Sequence, residues 1–104
     1  MAQWLWVPGA PGSPQNDGWL DLFSFTQSMS KEITCSVRLD SAYPKLMQMA
    51  VHGTLLDEVI IYLEPHHEFH FLKAIISSLR SSDETVILSF VYETPQRYYD
   101  GSQI

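Results

Sequence analysis

The sequence is poor in charge and in cysteine, and both shortages exclude classes of protein. Charged residues make up 17% of its 104 positions, and 12 acidic against six basic side chains give a formal net charge of −6. So few cations argue against a nucleic acid or an anionic membrane as the partner. The single cysteine, Cys35, excludes an intrachain disulfide, and its place among alternating apolar residues predicts a small buried side chain.

Long hydrophobic runs are absent as well. No apolar run approaches the roughly 18 residues that cross a bilayer, so we expect no membrane insertion. The first residues, MAQWLWVPGAPGSP, lack a basic segment and are interrupted at Pro8, so we do not expect a Sec signal peptide. The composition, 45% hydrophobic, is typical of a globular chain, and the length predicts one domain over residues 1–104.

The periodicity of the central stretch, residues 33–63, changes twice. Apolar residues alternate with polar ones from Ile33 to Leu39, which predicts a half-buried strand. Helical spacing follows and predicts one apolar helix face, made of Tyr43, Leu46, Met47 and Ala50. A second strand then carries its apolar residues on one side, namely Leu55, Val59, Ile61 and Leu63.

Capping residues bound this helix at about residues 42–52. Asp40 or Ser41 is expected to cap its first amides, and Pro44 suits the first turn, where a missing N–H costs little. Gly53 stands where a helix-ending residue with positive φ is expected.

Four further stretches predict strands, at about 4–7, 19–27, 68–77 and 85–93. In the third of them Phe69, Phe71 and Ile75 would share one side, although its spacing also admits a helix. Proline and glycine predict a loop over 8–14, and a flexible tail is expected over 96–104. The fold class predicted is therefore mainly β, a small barrel or sandwich of about six strands with one short helix.

The order of these pieces resembles the Hcp family, the tube proteins of type VI secretion systems, which are related in fold to phage tail-tube proteins. Four pieces carry the resemblance, in the family's order: WLWVPGAPGSPQNDGWLDLFSFTQSMS, ITCSVRLDSAYPKLMQMAVHG, LLDEVIIYL and HEFHFLKAIISSLRSSDETVILSFVYETPQRYYDG. They cover roughly residues 4–101. The chain departs from the family between the second and third strands, where a long loop is usual and only Gln27 to Lys31 is available here.

The resemblance implies a structural role without catalysis or a cofactor. Such subunits close into six-membered rings that stack into a tube, work with tube, sheath or spike components, and carry effector proteins. A subunit of this kind would reside in the bacterial cytoplasm before assembly and then be secreted by its own apparatus. Six residues, five of them aromatic and one on the helix, are the candidates for the subunit interface: Trp4, Trp6, Trp19, Met49, Tyr98 and Tyr99.

Two alternatives of a different class remain open. His66, Glu68 and His70 would lie on one face of an extended strand, and two imidazoles with a carboxylate could bind a divalent metal in a small ligand-binding barrel. A protein-binding adaptor that uses an edge strand is the other. A nucleophilic set of Ser41, His52 and Asp57 is conceivable, but Ser41 is better explained as a helix cap, so no catalytic residue is predicted.

Overall fold

In the computed structural model we describe residues 3–10, 12, 17–64, 66–99 and 101–103. These residues form strands β1 (Gln3–Trp6), β2 (Leu20–Gln27) and β3 (Glu32–Arg38), helix α1 (Tyr43–His52), and strands β4 (Leu56–Leu63), β5 (His67–Ser82), β6 (Thr85–Val91), β7 (Thr94–Tyr99) and β8 (Ser102–Gln103).

Six strands close into a barrel. Its order is β1-β2-β3-β6-β5-β4, and β4 pairs back with β1, every pair being antiparallel. The interior is filled by apolar side chains, of which the largest fully buried ones are Phe71, Phe90, Leu5, Leu20, Ile33, Leu46, Ile61 and Leu88. The predicted mainly β barrel with one short helix is confirmed.

Strand β5 runs for 16 residues and changes its facing part-way. Lys73 has a positive φ of 55°, which lies in the left-handed region and interrupts the regular alternation. Phe71 faces the core before this point, whereas Ala74 and Ile76 face it afterwards. The prediction that Phe71 and Ile75 share one side was therefore wrong, since Ile75 is 40% exposed.

Helix α1 begins and ends close to its predicted bounds. Pro44 lies in its first turn, and Gly53 ends it with φ 62° and donates its N–H to the carbonyl of Met49. The prediction that Asp40 or Ser41 caps the first amides was wrong, since the N-cap is Ala42 without a side-chain cap, and the Asp40 carboxylate accepts the N–H of Ala42 itself at 2.8 Å. Among the described residues no helix is long and apolar enough to cross a membrane.

The apolar faces of α1 and β4 differ in part from the prediction. Leu46 is buried, but Met47 is 40% exposed and Met49 packs against the core instead. Leu55 precedes β4 and is 57% exposed, whereas Leu56, the first residue of β4, is buried. Period counting fails in β4 because Leu56 and Val59 are both buried although they are three residues apart, so the alternation breaks between them, opposite the left-handed residue Lys73 of β5.

The segment expected to be a flexible tail is largely strand. β7 pairs with the first half of β5, from Leu72↔Thr94 to His67↔Tyr99, and β8 pairs with the end of β7. Pro95 lies within β7 opposite Phe71. A proline is tolerated there because the other edge of β7 is unpaired among the described residues until Tyr98.

Phe90→Asp should prevent folding, as should Val37→Asp, because each would place an unpaired charge in a fully buried position. Val91→Asp is the matched control, since Val91 is the next residue along and is 45% exposed. Circular dichroism of the three variants checks this, and a folded Phe90→Asp with the native melting temperature would contradict the core described above.

Gly53→Val should lower the free energy of unfolding by about 1 kcal/mol or more, because a β-branched residue is strained at positive φ. Gly53→Asn should cost less, since asparagine visits this region more readily. Nothing lies within 4 Å of a Cβ built at this position, so the difference would report backbone strain alone. Equal urea midpoints for Gly53→Val and the parent would contradict the assignment.

Candidate functional site

One face of the barrel carries an ordered array of large side chains. Alternate residues of β1, β4, β5 and β7 point away from the core, and the strand register aligns them in rows. We call this array the outer aromatic face; it comprises Trp4 and Trp6 from β1, Glu58, Ile60 and Tyr62 from β4, Glu68, His70 and Leu72 from β5, and Gln96 and Tyr98 from β7. Each of these residues is partly buried, so neighbours shield one another without being covered.

Aromatic rings are packed together at one end of this face. Trp19, which precedes β2, lies 5.6 Å from Trp6 and 6.3 Å from Tyr62 between ring centroids. Trp4 is paired with Tyr62 in the strand register. All three tryptophans of the chain therefore lie on or against one surface.

His70 lies between two carboxylates at the centre of the face. Its Nδ1 is 2.7 Å from Oε2 of Glu58, and its Nε2 is 2.8 Å from Oε1 of Glu68. The ring also contacts Tyr98, with centroids 4.3 Å apart, and the Tyr98 hydroxyl donates to Gln96. The imidazole thus connects β4, β5 and β7, and its side chain is only 13% exposed.

The predicted interface residues divide into three groups in space. Trp4, Trp6, Trp19 and Tyr98 come together on or against the outer aromatic face. Tyr99 points to the other side of β7 and contacts His67, 4.8 Å away between ring centroids. Met49 packs on the core cluster from helix α1.

The alternative metal site is not assembled as the sequence suggested. Glu68 and His70 meet, but His66 is exposed in the turn before β5. Glu58 takes the second nitrogen of His70, a contact across strands that spacing along β5 could not reveal. Among the described residues no three His, Cys, Asp or Glu side chains are arranged to hold a metal ion.

The nucleophilic set is not brought together either. Ser41 precedes helix α1 and His52 is its last residue, so the helix separates them by roughly 15 Å. Asp57 lies beyond His52, within β4.

A second surface is the sheet formed by β2, β3, β6 and the last half of β5. Both of its outer edges are open within the described part of the chain. β2 pairs with β1 only at Leu20 and Asp21, which leaves the same edge free to Gln27. β5 pairs with β4 only as far as Ala74, which leaves that edge free from Ile75 to Ser82.

These two edges have little of the charge and proline that protect many open edges against pairing. Monomeric proteins block open edges with charge, proline or short strands. The free part of β2, LFSFTQ, has neither charge nor proline, and the free part of β5, IISSLRSS, has only Arg80. Each free part carries one bulge, at Phe23 in β2 and at Ser77 in β5, and the Phe23 ring is 51% exposed.

Solved structures share this architecture. Hcp2 from Salmonella typhimurium matches with a TM-score of 0.85 at 16% identity, over 98% of this chain and 90% of that one. The fold is that of the Hcp proteins. A type VI secretion system effector from Yersinia pestis matches with a TM-score of 0.85 at 12% identity, over 98% of this chain and 95% of its own. The secreted protein Hcp3 from Pseudomonas aeruginosa matches with a TM-score of 0.82 at 12% identity, over 99% of this chain and 95% of that one.

The resemblance to Hcp proteins noted in the sequence is confirmed as a resemblance of fold. No protein-family model matches the sequence, and no curated protein matches it by sequence. The short connection expected between the second and third strands is observed. In this Hcp fold β2 and β3 are joined by a tight turn of four residues, 28–31, closed by a 2.8 Å hydrogen bond from the Ser28 amide to the Glu32 carbonyl.

His70→Ala should lower the free energy of unfolding by roughly 1–2 kcal/mol, because Glu58 and Glu68 would then face each other without a donor between them. In the background of Glu58→Gln together with Glu68→Gln, the same change should cost less, because the repulsion is gone. Urea unfolding of the four proteins at one pH gives the coupling energy. Strictly additive effects would contradict the role assigned to the imidazole.

Proposed function

We propose that the chain is a tube-forming structural subunit of a type VI secretion system or a related contractile injection apparatus. Copies of it would assemble into rings, most simply of six, and the rings would stack into a tube that carries effector proteins. The observation that carries this proposal is the pair of open edges on one sheet of an Hcp fold.

The strand directions suit a ring. β2, β3, β6 and β5 alternate in direction, so the two free edges run opposite ways. Rotating one copy onto the next about a ring axis therefore places β5 of one copy antiparallel to β2 of its neighbour. An antiparallel joint of this kind repeats around a closed ring with no edge left over.

The proposal includes an export route. The structurally similar Hcp3 is a secreted protein. We infer that this subunit is made in the bacterial cytoplasm and leaves through the apparatus it builds, together with tube, sheath or spike components. Packing inside the described barrel favours this role over a ligand-binding barrel, because apolar side chains fill its interior.

Two introduced cysteines, one on each free edge, should allow neighbouring copies to be cross-linked into covalent oligomers that form a ladder of bands on a denaturing gel. Thr26 and Ser78 are exposed and lie in the same row across the sheet, through Thr34 and Ser89. Thr26→Cys with Ser78→Cys, treated with a short bifunctional maleimide, should give bands up to the ring size. Cys35 will not interfere at neutral pH, because burial raises the pKa of its thiol to about 12.

The controls separate this joint from chance contacts. Each single variant should give no ladder, and neither should Thr26→Cys with Thr94→Cys, because Thr94 is exposed on β7 away from the free edges. Light scattering and negative-stain images of the parent should show rings of about six copies and distinguish single rings from stacks. A protein that stays monomeric at high concentration, with no ladder, would refute the proposal.

A further inference from the structure

The outer aromatic face is left unused by the proposed ring joint. That joint uses the edges of β2 and β5, whereas the face is formed by β1, β4, β7 and the first half of β5. Partly exposed tryptophan and tyrosine clusters are where binding energy concentrates in protein interfaces. This face holds two tryptophans and two tyrosines, and the third tryptophan of the chain, Trp19, packs against it.

The charge of the face is negative. Its carboxylates are Glu58 and Glu68, whose side chains are 39% and 33% exposed. None of the outward positions of β1, β4, β5 and β7 in this face is lysine or arginine. Beyond Trp4, the basic side chain of Arg38 forms an ion pair with Asp21, the β2 register partner of Trp4, at 3.5 Å.

We infer that the outer aromatic face binds a partner protein that presents arginine side chains. A guanidinium is planar, so it stacks on an indole or phenol ring while its N–H groups donate to a carboxylate. This face offers both groups side by side, because Tyr62 and Glu68 are register partners. Lysine would satisfy the charge, but its ammonium does not stack in the same way.

The same chemistry already occurs on the reverse side of the sheet. There Arg97 of β7 lies over the ring of Phe69 of β5, with its central carbon 5.5 Å from the ring centroid. A guanidinium therefore already stacks on an aromatic ring of this sheet. The inference is independent of ring assembly, because it needs only the folded barrel.

The three tryptophans make the test direct. We would titrate the isotopically labelled full chain with acetyl-(Gly-Arg)3-amide and follow the indole N–H signals of Trp4, Trp6 and Trp19. We expect saturable shifts at millimolar peptide, and weaker binding by roughly fivefold for the matched peptide with citrulline in place of arginine. The lysine peptide should fall between the two.

Variants locate the site. Glu58→Gln with Glu68→Gln should weaken binding of the arginine peptide by roughly fivefold, because both acceptors lose their charge. Glu84→Gln is the control and should bind like the parent, since Glu84 is exposed in the turn between β5 and β6, away from this face. Melting temperatures confirm that each variant is folded. Equal binding of the arginine and citrulline peptides, an unaffected Glu58→Gln with Glu68→Gln variant, or no indole shift would each overturn the inference.

Discussion

The architecture depends on the bend of one strand. β5 is a member of both halves of the barrel, and Lys73 lies where it passes from one to the other. Before the bend β5 is paired on both edges, with β4 and β7; after it, β6 takes one edge and the other is free. The turn to positive φ therefore both closes the barrel and leaves the edge on which ring assembly would rely.

Local pattern was sufficient for the helix and for most of the strands. Proline in the first turn and glycine at the end bounded α1, because capping is decided by a few neighbouring residues. Cys35 and its alternating neighbours were assigned to the core correctly for the same reason. The pattern failed at Ile75 and Leu55, where a single left-handed residue nearby changes which side chains face inward.

The candidate site could not be derived in the same way. Trp4, Tyr62, Glu68 and Tyr98 are far apart in sequence and meet only because β1, β4, β5 and β7 are neighbours in that order. Aromatic surplus indicated the right residue types, but not that Tyr99 faces the opposite side. Glu58 carries no signal in the sequence, and only strand pairing shows that it shares His70 with Glu68.

The shortest strand pairing in the barrel, between β1 and β2, has a consequence for how the molecule folds and opens. β1 and β2 are joined by two residue pairs, Trp4↔Asp21 and Leu5↔Leu20, whereas β3 and β6 share seven. The other edge of β1 pairs with β4, which lies more than 50 residues later in the chain, so this pairing forms only after β4 has been positioned. Pairing across such a sequence separation is slow to form, and a short ladder costs least to break. The barrel therefore has a seam beside β1, where closure comes late and thermal opening begins.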